Sequence, residues 1–251
     1  KPIQAPNHSA YSSLISQQGL ALTLLALVIS LSSAYFSYTE KTQDLDWLLY
    51  DSTMHIGQLK SADDIAIIEI DDKSLNQIGR WPWSRNMHAE LLDKLSDANT
   101  KAVVFDVLFQ ELDAENSLAD ISFAKAIKRH GNVILPIYLE TLGQQAQVVE
   151  SPPHGLFNRE VAALGHVHLQ SETDGVIRGI FLKEGVGTPF WSHLSLALIE
   201  HLANDSGTQK IGELPGSRAN QAPEQGLSVG IARDYLNLIP MPAPDQGLRH
   251  Y

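Results

Sequence analysis

From Pro2 to Thr39 the chain carries no Asp, Glu, Lys or Arg, and within that stretch Gly19 to Tyr38 reads GLALTLLALVISLSSAYFSY. Twenty residues at about 1.5 Å rise each give roughly 30 Å of helix, the thickness of a bilayer's hydrocarbon core. Tyr35, Phe36 and Tyr38 gather at one end, as aromatic residues do at a membrane interface. Residues 19–39 are therefore expected to form one N-terminal transmembrane helix in the lipid bilayer, with a flank over 1–18 and a globular body over 40–251. The competing readings are a cleaved signal peptide, with Ser32-Ser33-Ala34 as a small-residue cleavage site, and a buried core helix. Apart from Lys1 the flank lacks the basic stretch that a signal peptide carries.

Outside this stretch the chain is acidic. All 29 acidic residues and 17 of the 18 basic ones lie after Thr39, and the whole chain has a net charge of −11. Such a body repels a phosphate backbone, and no local basic stripe offsets that, so nucleic acid is not an expected partner. The absence of cysteine excludes disulfides, thiol nucleophiles and thiolate metal sites. A 251-residue chain that is 43% hydrophobic can bury a core. Glu40 to Asp46 is acidic on balance, which places the body outside the cytoplasm by the positive-inside rule. A start at Lys1 and an end at Tyr251 suggest a fragment of a longer protein.

Periodicity outlines the body. Asp44–Leu59 is spaced as an amphipathic helix continuing from the membrane. Ile65–Ile70 reads as a buried parallel strand, Asn86–Ala98 as a helix with Ser84 as N-cap, and Ala102–Phe105 as a second strand. A helix over Leu118–Arg129, stopped by Gly131, precedes a third strand over Asn132–Tyr138. Gly165–Gln170 and Val176–Leu182 read as an antiparallel hairpin about Asp174-Gly175. Trp191–Leu202 has a helical period, Asn204–Gly226 reads as a long loop, and Leu236–Ile239 as an edge strand. The expected fold is α/β: a mixed, mainly parallel sheet flanked by helices, with an antiparallel hairpin extension.

Several pieces together resemble the CHASE2 family of extracytoplasmic sensory domains. They are Asp46-Trp47-Leu48-Leu49-Tyr50-Asp51, Glu69-Ile70-Asp71-Asp72-Lys73-Ser74-Leu75, Gly79-Arg80-Trp81-Pro82-Trp83-Ser84-Arg85 with His88, and Phe105-Asp106-Val107-Leu108-Phe109. Asp120, Gly165-His166-Val167, Asp174-Gly175-Val176-Ile177-Arg178, Ile239-Pro240, Gly247 and Tyr251 follow in the family's order. The resemblance covers about residues 44 to 251. It implies a bacterial inner-membrane receptor with a periplasmic sensor, likened to those whose cytoplasmic output is a cyclase, diguanylate cyclase or kinase. The sequence ends before the later membrane helices and any output module. On the same resemblance Arg80, Asp120 and Arg178 join the ligand-binding candidates.

The residues point to a pocket independently. Asp71 and Asp106 each follow a predicted strand, where ligands of open α/β sheets collect. Arg85 falls in a first helical turn, where the macrodipole disfavours a cation, so it needs an acidic partner or an anionic ligand; Asp71 and Asp106 are the expected partners. Trp81 and Trp83 flank Pro82 and can wall a pocket or plug a core. His166 and His168 alternate on one strand face, and without a nearby third ligand they read as ordinary surface. No catalytic residue, metal or cofactor is assigned. The expected function is detection of an unknown small ligand or protein stimulus, in a homodimer joined through the membrane helix. The alternatives are a periplasmic scaffold, and a divalent-metal-dependent hydrolase using Asp71 and Asp106 with Asp72, Asp113 and Asp120 nearby. In the hydrolase reading, Lys73 stands where an aspartyl phosphatase would place its second Asp.

Overall fold

The computed structural model describes residues 8–38, 43–54, 64–114, 116–142, 147–169, 171, 174–205, 214 and 231–238. These divide into two units, one holding the two N-terminal helices and one holding everything from Asp64 onward. The loop expected over Asn204–Gly226 falls almost wholly outside the described residues, as do the end of the juxtamembrane helix and the segment beyond Leu238.

In the first unit, α1 (His8–Tyr38) and α2 (Gln43–Met54) take up the uncharged stretch and the start of the acidic one. The side chains of α1 are described over residues 19–35, and its leucines there lie in the open, from Leu24 at 54% exposure to Leu22 at 67%. Among the described residues no helix is long and apolar enough to cross a membrane.

The second unit opens with α3 (Asp72–Ile78) and α4 (Arg85–Asp97), followed by β1 (Val103–Val104) and α5 (Ser117–His130). Next come β2 (Val133–Leu142), β3 (Gln147–Ser151), α6 (Gly155–Asn158) and β4 (Ala163–His166). The last four elements are β5 (Gly179–Val186), β6 (Trp191–Ser192), α7 (Leu194–Asp205) and β7 (Ile231–Leu238).

The boundaries of α5 follow from local chemistry. Asn116 accepts the Ala119 N–H, Asp120 sits in the positive first turn, and Lys128, Arg129 and His130 occupy the last. Gly131 ends the helix at φ 79°, a left-handed conformation that glycine adopts without a Cβ penalty.

β2 is the centre of the first sheet. Its N-terminal half pairs in parallel with β1 and with β4, and its C-terminal half pairs antiparallel with β3. Alternation along β2 feeds two cores. Val133 and Leu135 join Leu92, Phe105, Phe109, Phe123, Ile127 and Phe157, whereas Ile134 packs with Leu194 and Ala197 of α7. A second sheet, ordered β6-β5-β7, is antiparallel, and a bridge between His166 and His193 joins it to the first.

The mixed α/β class is as expected, with one sheet carrying the parallel pairs and the other wholly antiparallel. Among the described residues two strand pairings are parallel and three antiparallel, so the sheet system is not mainly parallel. Among the described residues the hairpin expected about Asp174-Gly175 does not form. β4 pairs with β2, while β5 pairs with β6 and β7 in the other sheet. Asp174 makes a local turn by accepting the Val176 N–H, but a turn does not choose a strand's partner.

Ile65–Ile70 is not a buried strand either. Only Ile67 takes part in a bridge, and Ile65, Ile68 and Ile70 are 40–52% exposed. A β-branched run favours extended backbone, but a strand needs a ladder, and among the described residues β1 pairs with β2 alone. The edge strand expected near Leu236 is present as β7, at the edge of the second sheet.

Candidate functional site

The segment after β1 and the loop entering α4 line an open cleft of about 720 Å³. Its apolar wall is Ile70, Leu75, Trp81, Val107 and Leu108, and its polar groups come from Arg85, Asp106, Gln110 and Glu111. This size and mixture suit a small molecule.

Arg85 opens α4 and sets its guanidinium carbon over the Phe109 ring, 4.8 Å from its centroid. One terminal nitrogen donates to the Glu111 carbonyl at 3.3 Å. The acidic partner is Asp120, whose Oδ1 stands 3.7 Å from Arg85 Nε, and neither Asp71 nor Asp106 takes that place. Sequence order concealed this pairing, because it is created by the packing of α5 on α4. Asp120 is buried, yet its other oxygen accepts the Asp113 N–H at 2.9 Å and it benefits from the N-terminus of α5.

Asp71 is committed elsewhere. As N-cap of α3 it accepts the Ser74 N–H at 2.7 Å and the Ser74 hydroxyl at 2.6 Å, and these bonds hold its carboxyl below the usual carboxylate range. Ser84 stands at the N-cap position of α4 but its side chain makes no cap hydrogen bond. Asp106 is exposed and lines the cleft.

The Trp81–Pro82 peptide is cis, and the chain bends there instead of running extended. Trp81 and Trp83 meet edge to face at 5.5 Å, and the Trp83 indole N–H donates to the Gly79 carbonyl at 2.8 Å. Trp81 walls the cleft and its inner side meets His88 at 5.6 Å. His88 is buried among Phe105, Phe109 and Phe123, and burial, aided by the Arg85 charge, pushes its pKa down to about 4. It is therefore neutral at pH 7.

The remaining candidates lie apart from the cleft lining. Arg80 is exposed. Arg178, at the entrance to β5, is buried and holds Asp174 through two nitrogens at 2.8 and 3.1 Å, which depresses the Asp174 pKa. Residues that the sequence did not single out complete the site: Phe109 beneath the guanidinium, the Glu111 carbonyl beside it, and Gln110 on the rim. The Arg-over-Phe contact had no readable signal beyond proximity in chain order.

His166 and His168 are not ordinary surface. His166 is fully buried, and His168 Nδ1 lies 2.8 Å from Glu184 Oε2. Among the described residues no three His, Asp or Glu side chains are placed to hold a metal ion.

No curated protein and no solved structure matches the chain. The family model of the CHASE2 domain matches residues 21–245. With nine-tenths of its length covered by that match, and with the Trp-Pro-Trp loop building one wall of the cleft, the chain belongs to the CHASE2 family, whose members are extracytoplasmic sensory domains of signalling receptors.

Proposed function

We propose that this chain is the anchored sensory part of a bacterial inner-membrane receptor, with residues 40–251 in the periplasm. It detects a stimulus there and passes it across the membrane to a cytoplasmic output of cyclase, diguanylate cyclase or kinase type. The cleft between Trp81 and Asp106 is its ligand entrance. Arg85 and Asp106 offer opposite charges beside an apolar wall, Asp120 stands behind Arg85, and Trp83 packs on Trp81. The receptor works as a homodimer through α1, because a signal requires the ligand to favour one arrangement of the two chains over another.

The observation that carries this reading is the exposure of α1. Leu20, Leu22, Leu24, Leu25, Leu27, Val28, Ile29 and Leu31 are all more than half exposed and spread over more than half of the helix circumference, with the small uncharged Gly19, Thr23, Ala26 and Ser30 on the rest. A helix of a water-soluble body buries one apolar stripe, whereas a helix that is apolar all round belongs in lipid. The sequence extends the run to Tyr38, long enough to span with residues 19–39.

Reporter fusions after Gly226 test the topology. A reporter active only in the cytoplasm is expected to stay silent and one active only in the periplasm to respond. Strong cytoplasmic activity would overturn the reading.

A further inference from the structure

The geometry points to a second site, away from the cleft, whose ligand is the proton: the seam between the two sheets, where His166 and His193 meet beside Glu184, opens on acidification. The stimulus it names rests on the sensory reading above, but its chemistry does not.

The seam is closely packed at His166. His166 on β4 bridges His193 between β6 and α7, their rings 5.2 Å apart and nearly perpendicular. One residue before His166, Gly165 is pressed against α7 so tightly that a Cβ there would stand 2.5 Å from Leu194 Cα. His166 is 0% exposed, and neither ring nitrogen makes a hydrogen bond of good geometry. A charge on that ring could be hydrated only if β4 and α7 parted.

Charged groups converge on the seam from each neighbouring element. Glu184 of β5 is fully buried, with Oε2 2.8 Å from His168 Nδ1 and 3.8 Å from His166 Nδ1. Its Oε1 lies 3.1 Å from Arg233 Nε of β7, and Asp234 beside Arg233 is also buried. Lys183 of β5 is tied to Glu200 of α7, and Asp106 acts on His193 from beyond β1. His193 shares its Nδ1 with the Ser195 hydroxyl at 2.8 Å.

The closed seam resists protons. Burial above all, then the neighbouring His193 and His168, pushes His166 down to about 3, with the Phe181 carbonyl working weakly the other way. Burial also lowers His193, against the pull of Glu184 and Asp106. An opened seam returns these rings toward the ordinary value of about 6.5. The open form thus binds more protons, so the closed form is favoured above that value. Below it each titrating histidine raises the open fraction up to about tenfold per pH unit, for His166 until about pH 3.

Hydrogen exchange on the full chain tests this between pH 6.5 and 4.5, corrected for the intrinsic rate. The reporter is the backbone amide that closes the His166–His193 bridge, the link between the two sheets. Its protection is expected to fall roughly five- to tenfold per pH unit, and His166→Gln to flatten that slope. Should His166→Gln fail to fold, His193→Gln carries the same expectation. His88→Phe removes the other strongly depressed histidine and is expected to leave the slope intact. A flat profile in the unaltered chain, or a slope abolished by His88→Phe and kept by His166→Gln, overturns the proposal. The topology reporters decide the sensory reading separately, since the seam can open on either side of a membrane.

Discussion

Arg85 and Asp120 face each other between α4 and α5 with 3.7 Å from Nε to Oδ1, close enough to neutralise each other and too far to share a hydrogen bond. Asp120 is 1% exposed and Arg85 14%, so Arg85 reaches the cleft from above a buried carboxylate, while the carboxylate that lines the cleft, Asp106, remains in water.

Removing Arg85 therefore strands a buried carboxylate. Arg85→Ala is expected to cost about 3 kcal/mol, the lower end for breaking a buried pair, because Asp120 keeps the Asp113 N–H and the helix N-terminus. Asp106→Ala should stay within about 0.5 kcal/mol. Urea melts of both variants check the contrast, and equal losses would mean that Asp106 is structural too.

Gly165 has no room for a side chain against Leu194. Gly165→Ala must push β4 away from α7 and is expected to cost about 2–3 kcal/mol. A thermal melt within a degree of the unaltered chain would show that the contact yields freely.

His88 makes the domain acid-sensitive in a definite window. Its folded-state pKa is lowered from 6.5 to about 4, so its stabilising contribution is intact above pH 6.5 and is lost as pH falls toward 4. The full loss is about 3 kcal/mol. His88→Phe, which keeps a ring among Phe105, Phe109 and Phe123, should remove that part of the pH dependence; unfolding curves at pH 7, 5.5 and 4.5 measure it.

Trp83 holds its loop through one hydrogen bond to an exposed part of the chain. Trp83→Phe forfeits the bond to Gly79 but keeps an aromatic ring near Trp81, at an expected cost of about 1 kcal/mol. Loss of several kcal/mol in a denaturant titration would instead assign Trp83 to the core.

Elements whose signals are local were legible in the sequence. The apolar face of α5 and the stop at Gly131 act within a few residues of one another, and α5 lies within a residue of its expected ends. Partner choice was not legible, because it is settled over long separations. β5 takes β7, about fifty residues downstream, in preference to the neighbouring β4, and Arg85 takes Asp120 in preference to either strand-end carboxylate. The Ile65–Ile70 run shows the same limit, since its β-branched residues record backbone preference and say nothing of whether a ladder lies alongside. Within the site, Trp81, Arg85 and Asp106 were found by residue type and position after a strand, while Phe109 and the Glu111 carbonyl depended on the path of the chain after β1.

Asp106 stands at a crossing of two equilibria. It lines the cleft, and its charge is also felt by His193, where it favours the protonated ring. A cation that settled on Asp106 would cancel that help and make His193 harder to protonate. By reciprocity, a proton on His193 would weaken the cation's hold to the same degree. Cleft and seam thus share one exposed carboxylate, and a cation on Asp106 and a proton on His193 would oppose each other.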